Sequence, residues 1–280
     1  MGRGRWGQTI ERTLLSLPDV SVTAIPRDGA PPPGLDGVLI ATPSASHADV
    51  ALPYINAGIA TFIEKPMTTA VADAQRILDA ARQSGTPVFV GHIHLYSPAF
   101  RAARELLPSL GKIQYLLCDS ANGYGRADSS VLWDWLPHDL SVARAIFDHN
   151  PDSVSAWSIA GGTEPMAAVS RFLFGGTPVI STISCLSPAR RRQVTIVGDK
   201  ATLVFDDRAE RRLALHDNDK GLSYPAYSEG MPLTLEMEAF LQMIKMGEAD
   251  PSHIQDGLDI VRAIAAAESS ILLEGQPVAI

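Results

Sequence analysis

The sequence predicts an α/β protein in two parts: a doubly wound parallel sheet, then an α+β domain built on an open, mainly antiparallel sheet. Two observations lead to this fold class. Up to about residue 92, short apolar runs alternate with helical patterns, which is typical of right-handed βαβ units buried on both sheet faces. Beyond residue 93 the apolar runs are longer and are separated by turn residues, which is typical of antiparallel strands. We therefore expect one domain over residues 1–92 and a second over 93–280.

The predicted first domain contains short β-branched runs bounded by Gly or Pro. These runs predict strands at 20–25 (VSVTAI), 36–43, 59–66 and 86–92. Helical patterns lie between the later strands, at 46–58 and 68–85. The second helical pattern ends at Gly85, a plausible C-cap, and carries one apolar stripe made of Val71, Ala74, Ile77, Leu78 and Ala81.

The predicted second domain contains longer runs. They predict strands at 111–121, 152–162, 167–174, 178–187, 192–198 and 201–207. The last two form a hairpin that turns near Gly198 and Asp199. We expect helices at about 97–108 and 138–148 to cross the sheet. Two more helices close the chain, the first with an apolar face made of Met237, Phe240, Leu241 and Ile244.

Composition favours a well-buried enzyme, with 46% hydrophobic and 19% charged residues among 280. The net charge of −8 argues against a nucleic-acid-binding surface, and we interpret the Arg190–Arg192 cluster as a solvated strand entry. Cys118 and Cys185 lie in apolar runs, as buried thiols of a reducing compartment do. No signal-peptide core is present and no run approaches the ~18 apolar residues of a membrane span, so we expect a cytoplasmic protein without membrane partners.

The first residues, MGRGRWGQT, place Gly2, Gly4 and Gly7 in the spacing G-x-G-x-x-G, with Arg5 and Trp6 between them. Before a helix, this turn lets the backbone approach a pyrophosphate, so it predicts a Rossmann-like dinucleotide site. A residue that reads the ribose is expected roughly 20 positions on. There Asp28 could accept from the hydroxyls of NAD and Arg27 could pair with the 2′-phosphate of NADP. The sequence does not choose between them, and Asp28 is equally well explained as a turn residue.

Two charged residues, Glu64 and Lys65, directly follow an apolar strand. They therefore lie at its carboxyl end, where open α/β sheets bind ligands. Burying such charges without partners is costly, which favours a functional site over a surface turn. Pro66 cannot continue a strand ladder, and a cis Lys65–Pro66 bond would direct the lysine into the ligand cleft.

A third group of polar residues, Asp134, His138 and Asp139, lies at the start of a predicted helix. If that helix begins near Asp134, then Asp134 and His138 are four residues apart and share a helical face. A histidine beside carboxylates can exchange protons near neutral pH, although a helix cap beside a satisfied histidine explains the pattern equally well. His92, His94 and Tyr96 lie at another strand end. No metal-ligand spacing supports a zinc site among these histidines, so we expect no metal.

Together these segments resemble the Gfo/Idh/MocA family of NAD(P)-dependent oxidoreductases, which act mainly on sugars, sugar derivatives and polyols. The resemblance covers almost the whole chain. It rests on GRGRWGQ, DGVLIATPSASHADVALPYINAGIATFIEKPMTT, VGHIHLYSPAF, LWDWLPHDLSV, VTIVGDKATLVFDD, PLTLEMEAFL and AAAESSILLEGQPV. The EKP triplet and the D-x-x-x-H arrangement are its most specific features.

The resemblance implies that Lys65 and His138 flank the substrate carbon opposite the nicotinamide, with Asp134 accompanying the histidine. It implies hydride transfer between NAD or NADP and a sugar-like hydroxyl or keto carbon. The cofactor would contact the glycine turn, its neighbours and three further segments: Gly2, Gly4, Arg5, Trp6, Gly7, Arg27, Thr42, Pro43, His47, Glu64 and Lys65. The substrate would meet His92, Tyr96, Trp133 and Asp139. A homodimer or homotetramer through the second sheet is expected, and W-D-x-x-P-H-D resembles the branch that acts on UDP-linked amino sugars.

The chain also departs from this family pattern. Family members begin with a buried strand before the glycine turn, whereas only Met1 precedes it here. The stretch AIPRDGAPPPGLDGVLIATP also leaves no room for the helix and short strand that follow the second strand in the family. The resemblance thus implies an abbreviated Rossmann-like domain that lacks its first strand and a middle helix. The alternative is a catalytically silent paralogue that binds a sugar-like ligand or partners an active homologue.

Overall fold

The structure, a computed structural model, describes residues 4–25, 32–125, 130–247 and 251–280, with backbone alone at 251 and 252. The chain divides into two compact units. The first comprises Met1–Ile93 and Met231–Val261, and the second comprises His94–Gly230 and Arg262–Ile280. This division differs from the expected domain over 93–280, because a late segment packs with the first unit.

The described residues form seven α-helices and twelve strands, numbered here in chain order. The helices are α1 (Arg5–Leu15), α2 (His47–Asn56), α3 (Val71–Ser84), α4 (Pro98–Glu105), α5 (Val131–Phe147), α6 (Pro232–Met246) and α7 (Pro251–Leu272). The first strands are β1 (Gly37–Ile40), β2 (Ala60–Ile63), β3 (Val88–Val90), β4 (Ile113–Ala121), β5 (Ser153–Ala160) and β6 (Ala167–Phe174). The others are β7 (Thr177–Ser184), β8 (Arg191–Gly198), β9 (Ala201–Asp206), β10 (Leu213–Asp217), β11 (Gly221–Ser223) and β12 (Val278–Ala279).

The first unit is built on a parallel sheet in the order β1–β2–β3. This arrangement confirms the βαβ prediction for residues 36–92. The predicted strand at 20–25 is wrong, because these residues form neither a strand nor a helix. An apolar run becomes a strand only when a neighbour completes its hydrogen bonds, and no described strand pairs with 20–25.

The core of the first unit joins its sheet to α6. Phe62 on β2 stacks on Phe89 of β3 with ring centroids 5.3 Å apart. Phe240 of α6 meets the edges of both rings at 5.5 and 5.9 Å. Burying large aromatic rings dominates core energetics, so these contacts explain why residues 231–261 pack with the parallel sheet.

The second unit is built on a nine-stranded sheet in the order β11–β10–β9–β8–β4–β7–β6–β5–β12. Within the described part of this sheet, β4 and β7 form the one parallel pair. The others pair antiparallel, and β8 and β9 form the predicted hairpin. The mainly antiparallel sheet is therefore confirmed. Helix α5 packs on β4, β6 and β7.

Some boundaries in the second unit differ from the prediction. Helix α5 begins at Val131 rather than near 138, and it contains Pro137. Proline disfavours a helix interior, but all residues from Val131 to Ala143 except Asp134 are buried, so packing overrides the local preference. Strands β10, β11 and β12 are short, and the sequence pattern did not predict them. No helix in the described part of the chain has the length and hydropathy that a bilayer crossing needs.

Candidate functional site

The structure describes two of the three glycines: Gly4 precedes α1, and Gly7 lies buried within it. Gly4 is the N-cap of this helix, and no side chain caps it. Its first turn contains no acidic residue, and Arg5 adds a positive charge there. A Cβ added at Gly4 would meet no atom within 4 Å, so the backbone is open to a bound group. Uncapped N–H groups and the positive end of the helix dipole fit the pyrophosphate of a dinucleotide.

Glu64 links this helix to the end of β2. The indole N–H of Trp6 donates to Glu64 Oε1 at 2.7 Å, and the backbone N–H of Lys65 donates to Oε2 at 3.0 Å. Glu64 is buried, so these charge-assisted hydrogen bonds compensate part of the cost of removing it from water. They fix the carboxylate beside Lys65 and confirm that the EKP segment lies at a carboxyl end in the sheet.

A second buried carboxyl, Glu236 of α6, faces Glu64. It is only 1% exposed, and a backbone hydrogen bond at His92 acts to lower its pKa. Burial, and next the negative charge of Glu64, raise the pKa of Glu236 well above its ordinary value. Glu236 therefore holds a proton more readily than an exposed glutamate does. The one sequence signal for Glu236 is that it interrupts an apolar face that includes Leu233, Met237 and Phe240.

His47 connects two loops of the first unit. Its Nδ1 lies 3.0 Å from the carbonyl oxygen of Pro66, and its Nε2 lies 2.9 Å from that of Thr42. The ring is buried, and both of its nitrogens contact backbone carbonyl oxygens. His47 therefore holds these two loops in place. Thr42 is followed by exposed Pro43, and its hydroxyl accepts from Ser46 at 3.0 Å. The Lys65–Pro66 bond is cis.

The second unit carries Asp134 and His138 one turn apart on α5. His138 is buried, and its ring meets that of His94 edge-on with centroids 4.8 Å apart. Tyr96 lies under the guanidinium of Arg101 at 5.1 Å. His92 is buried in the first unit. The described residues contain no cluster of His, Cys, Asp and Glu suited to a metal ion.

Asp139 is directed towards the sheet. Its carboxylate accepts from Ser181 Oγ at 2.5 Å and from Ser120 Oγ at 3.4 Å. Burial raises its pKa to about 6, although the two hydroxyls and the charge of Arg192 oppose this shift. These partners belong to β4, β7 and β8, so Asp139 anchors α5 to the sheet.

The sequence predicted that the Arg190–Arg192 cluster is solvated where it enters a strand, and this holds for only part of the cluster. Arg191 is half-exposed and forms an ion pair with Asp119 at 2.6 Å. Arg192 instead lies 4.7 Å from the ring centroid of Trp135, and burial lowers its pKa. The charges of Asp139, Asp207 and Asp134 oppose that shift. The acidic neighbours, which the linear sequence does not reveal, explain why this arginine is tolerated in the interior.

Trp133 is also buried, and its indole N–H donates to Glu268 Oε1 of α7 at 2.7 Å. No local sequence pattern indicates Glu268, because it lies 135 residues away from Trp133 in the chain. Gly2 and Arg27, which are predicted to contact the cofactor, lie outside the described residues. So does Asp28, the alternative to Arg27 as the residue that reads the ribose.

Comparison with known proteins indicates the family to which the chain belongs. Residues 18–92 match GFO_IDH_MocA, an oxidoreductase family with an NAD-binding Rossmann fold. The solved structure of a candidate oxidoreductase from Magnetospirillum magnetotacticum MS-1 is similar, with 30% identity, a TM-score of 0.82, and coverage of 94% of this chain and 96% of that one.

Two named dehydrogenases are also similar. Myo-inositol 2-dehydrogenase of Thermotoga maritima is 23% identical over 267 residues, which cover 85% of this chain and 78% of the relative. UDP-N-acetylglucosamine 3-dehydrogenase of Acidithiobacillus ferrooxidans is 27% identical over 197 residues, covering 68% and 62% respectively. With the parallel sheet, the glycine turn and the EKP segment, these matches lead to one conclusion: the chain belongs to the Gfo/Idh/MocA family of oxidoreductases, which carry an NAD-binding Rossmann fold.

Proposed function

We propose that this protein transfers a hydride between NAD or NADP and a hydroxyl- or keto-bearing carbon of a sugar, sugar nucleotide or polyol. The observation that carries the proposal is Glu64, held by two hydrogen bonds between the start of α1 and Lys65. This arrangement ties the glycine turn to the proposed proton-exchanging residue. The named relatives support the substrate class, since they are dehydrogenases of an inositol and of a UDP-linked sugar.

The bound dinucleotide would supply the hydride donor or acceptor. In our proposal Gly4, Arg5 and Gly7 hold its phosphates. Thr42 and Pro43 line the nicotinamide side, and buried His47 keeps their loop in place through its contact with the carbonyl oxygen of Thr42.

Lys65 and His138 are the proposed groups that exchange the alcohol proton, and Asp134 orients His138. Each has the chemistry for this role, since a lysine or histidine can take or return a proton when its surroundings tune its pKa. The backbone N–H of Lys65 donates to Glu64 Oε2, so this lysine lies next to a buried carboxyl group that is fixed in place.

The proposal is tested by titrating the protein with NADH and by following NADH formation with a panel of polyols and sugars. Lys65→Ala should reduce turnover at least about a thousandfold and leave the Kd for NADH within about threefold. Lys245→Ala, an exposed lysine in the same unit, is the matched control and should change neither. A protein that binds no dinucleotide would refute the proposal, and one that binds NADH without any turnover would favour the silent paralogue.

We also propose that the protein forms a homodimer or homotetramer through the nine-stranded sheet. Large apolar side chains remain exposed on two of its strands: Tyr115 and Leu117 on β4, and Trp157 and Ile159 on β5. Exposed apolar residues grouped on one sheet are typical of protein–protein interfaces.

A further inference from the structure

Gly257 lies inside the 22-residue helix α7, in the part of that helix that belongs to the first unit. Glycine is a poorer helix former than alanine because it loses more conformational freedom on folding. A Cβ added at Gly257 would stand 2.9 Å from Val90 Cγ2 and 3.0 Å from Met67 Sδ, and both of these side chains are 1% exposed. One turn earlier, His253 stacks on Phe89 of β3 with ring centroids 4.4 Å apart. The close approach of the helix backbone therefore explains the glycine.

One of the two contacts of Gly257 leads to the residue before Glu64. Val90 is the last residue of β3 and lies opposite Ile63, the last residue of β2, in the parallel ladder. The backbone N–H of Gly91 donates to the carbonyl oxygen of Ile63 at 2.9 Å, which joins the ends of these two strands. Gly257 therefore contacts the strand pair from which Glu64 emerges.

The other contact of Gly257 leads to the residue after the EKP segment. Met67 directly follows Pro66, and its side chain packs against the backbone of α7 at Gly257. The carbonyl oxygens of Pro66 and Met67 lie 3.0 and 3.3 Å from Nδ1 of His47. The chain after Lys65 is thus fixed through its carbonyl groups by His47 and through a side chain by α7.

We propose that Gly257 is a positioning residue for Lys65. Because it has no side chain, α7 lies directly against Val90 and Met67, which fix the chain before and after the EKP segment. This inference rests on the proposed function, in which Lys65 exchanges the alcohol proton. The lysine side chain is flexible, so the backbone from which it extends decides where its amine can reach. Misplacing a reacting group by about 1 Å can reduce turnover about a hundredfold, and the smaller shift that one methyl group requires should cost about tenfold.

Gly257→Ala tests the proposal in the whole protein, by NADH titration and by steady-state kinetics with the best substrate of the polyol and sugar panel. We expect kcat to fall about tenfold while KM and the Kd for NADH change less than about threefold, because only the proton-exchanging group is displaced. In a Met67→Val background the same substitution should lower kcat by less than about threefold, because the methyl group enters the space that the sulfur leaves. Gly85→Ala is the control: a Cβ there meets nothing within 4 Å, but the φ of +67° strains an alanine. It should lower stability and leave kcat unchanged.

A second measurement follows Lys65 without turnover. Reductive methylation with ¹³C-formaldehyde labels the lysine amines for NMR, and the Lys65 signal is assigned by its loss in Lys65→Arg. Gly257→Ala should shift this signal and leave the signals of the other lysines in place. Gly85→Ala should not shift the Lys65 signal.

The inference is overturned if Gly257→Ala leaves kcat or the Lys65 signal unchanged, or if its effect on kcat is the same with and without the sulfur of Met67. If Gly257→Ala does not fold, Met67→Val decides alone: it should lower kcat and leave the Kd for NADH unchanged, and an unchanged kcat overturns the inference. The proposed function fails separately, through the absence of NADH binding or turnover in the unmodified protein. In that case the Lys65 signal still tests the inference.

Discussion

Replacing Asp139 with Asn tests whether this buried carboxyl holds a proton more tightly in the folded chain than in the unfolded one. Asp139 is only 5% exposed and accepts from Ser120 and Ser181. Asparagine has nearly the same shape and keeps one oxygen for a hydroxyl, but it cannot titrate. The substitution therefore removes the protonation equilibrium with little change in packing.

The expected magnitude follows from the pKa of Asp139, which rises from 3.8 to about 6 on folding. A difference of about 2 pKa units corresponds to about 3 kcal/mol. Because the folded pKa is raised, this contribution to the free energy of unfolding is fully present below about pH 4 and is lost as the pH rises through about 6. Between pH 4 and pH 7, the wild type should lose about 3 kcal/mol of stability relative to Asp139→Asn.

Urea unfolding followed by tryptophan fluorescence between pH 4 and pH 7.5 measures this effect. Three of the four tryptophans, Trp133, Trp135 and Trp157, lie in the same unit as Asp139, so the signal reports mainly on that unit. Asp148→Asn is the control, because Asp148 is exposed just past the end of the same helix. A stability difference between wild type and Asp139→Asn that does not change with pH would refute the reasoning, as would one that changes with the opposite sign.

Three further predictions concern the first unit and the sheet. A Cβ at Gly91 would stand 2.6 Å from the ring of fully buried Phe62, so Gly91→Ala should lower the free energy of unfolding by about 1–3 kcal/mol in urea titrations. Phe62→Leu should reduce that cost in the double variant, and additive effects of the two changes would contradict the contact. Trp6→Phe removes the indole N–H from Glu64, so steady-state turnover should fall about tenfold. Tyr227→Phe, at an exposed aromatic residue, is the control, and an unchanged kcat in Trp6→Phe would show that the hydrogen bond does not matter. Leu117→Asp places a charge on the exposed face of β4 and should lower the mass measured by light scattering to that of a monomer. Leu222→Asp on β11 is the control and should leave the mass unchanged. If the oligomer persists in Leu117→Asp, the interface lies elsewhere.

The sequence predicted the elements whose patterns depend on local contacts. The strands that contain Phe62 and Phe89 are continuous apolar runs, and such runs are stable only when both sheet faces are covered. The hairpin around Gly198 and Asp199 was predictable because turn residues separate two alternating runs. Glu64 and Lys65 were identified because charges at a strand end need partners.

The remaining features depend on neighbours that are distant in sequence. The run at 20–25 is apolar enough for a strand but finds no partner among the described strands. Helix α5 continues through Pro137 because tertiary burial outweighs the local cost of proline. Glu236 and Glu268 gain their roles from Glu64 and Trp133, which lie more than a hundred residues away along the chain. No local pattern specifies such pairs.

The packing of Phe240 against Phe62 and Phe89 also has a consequence for the order of events during synthesis. The parallel strands leave the ribosome long before α6 does, because their aromatic partner follows Phe89 by some 150 residues (240 − 89 = 151). Until α6 arrives, the two rings lack the side chain that covers them, and the nascent first unit exposes apolar surface to chaperones. A fragment ending at residue 230 would keep the glycine turn and Lys65 but remain permanently in that unfinished state.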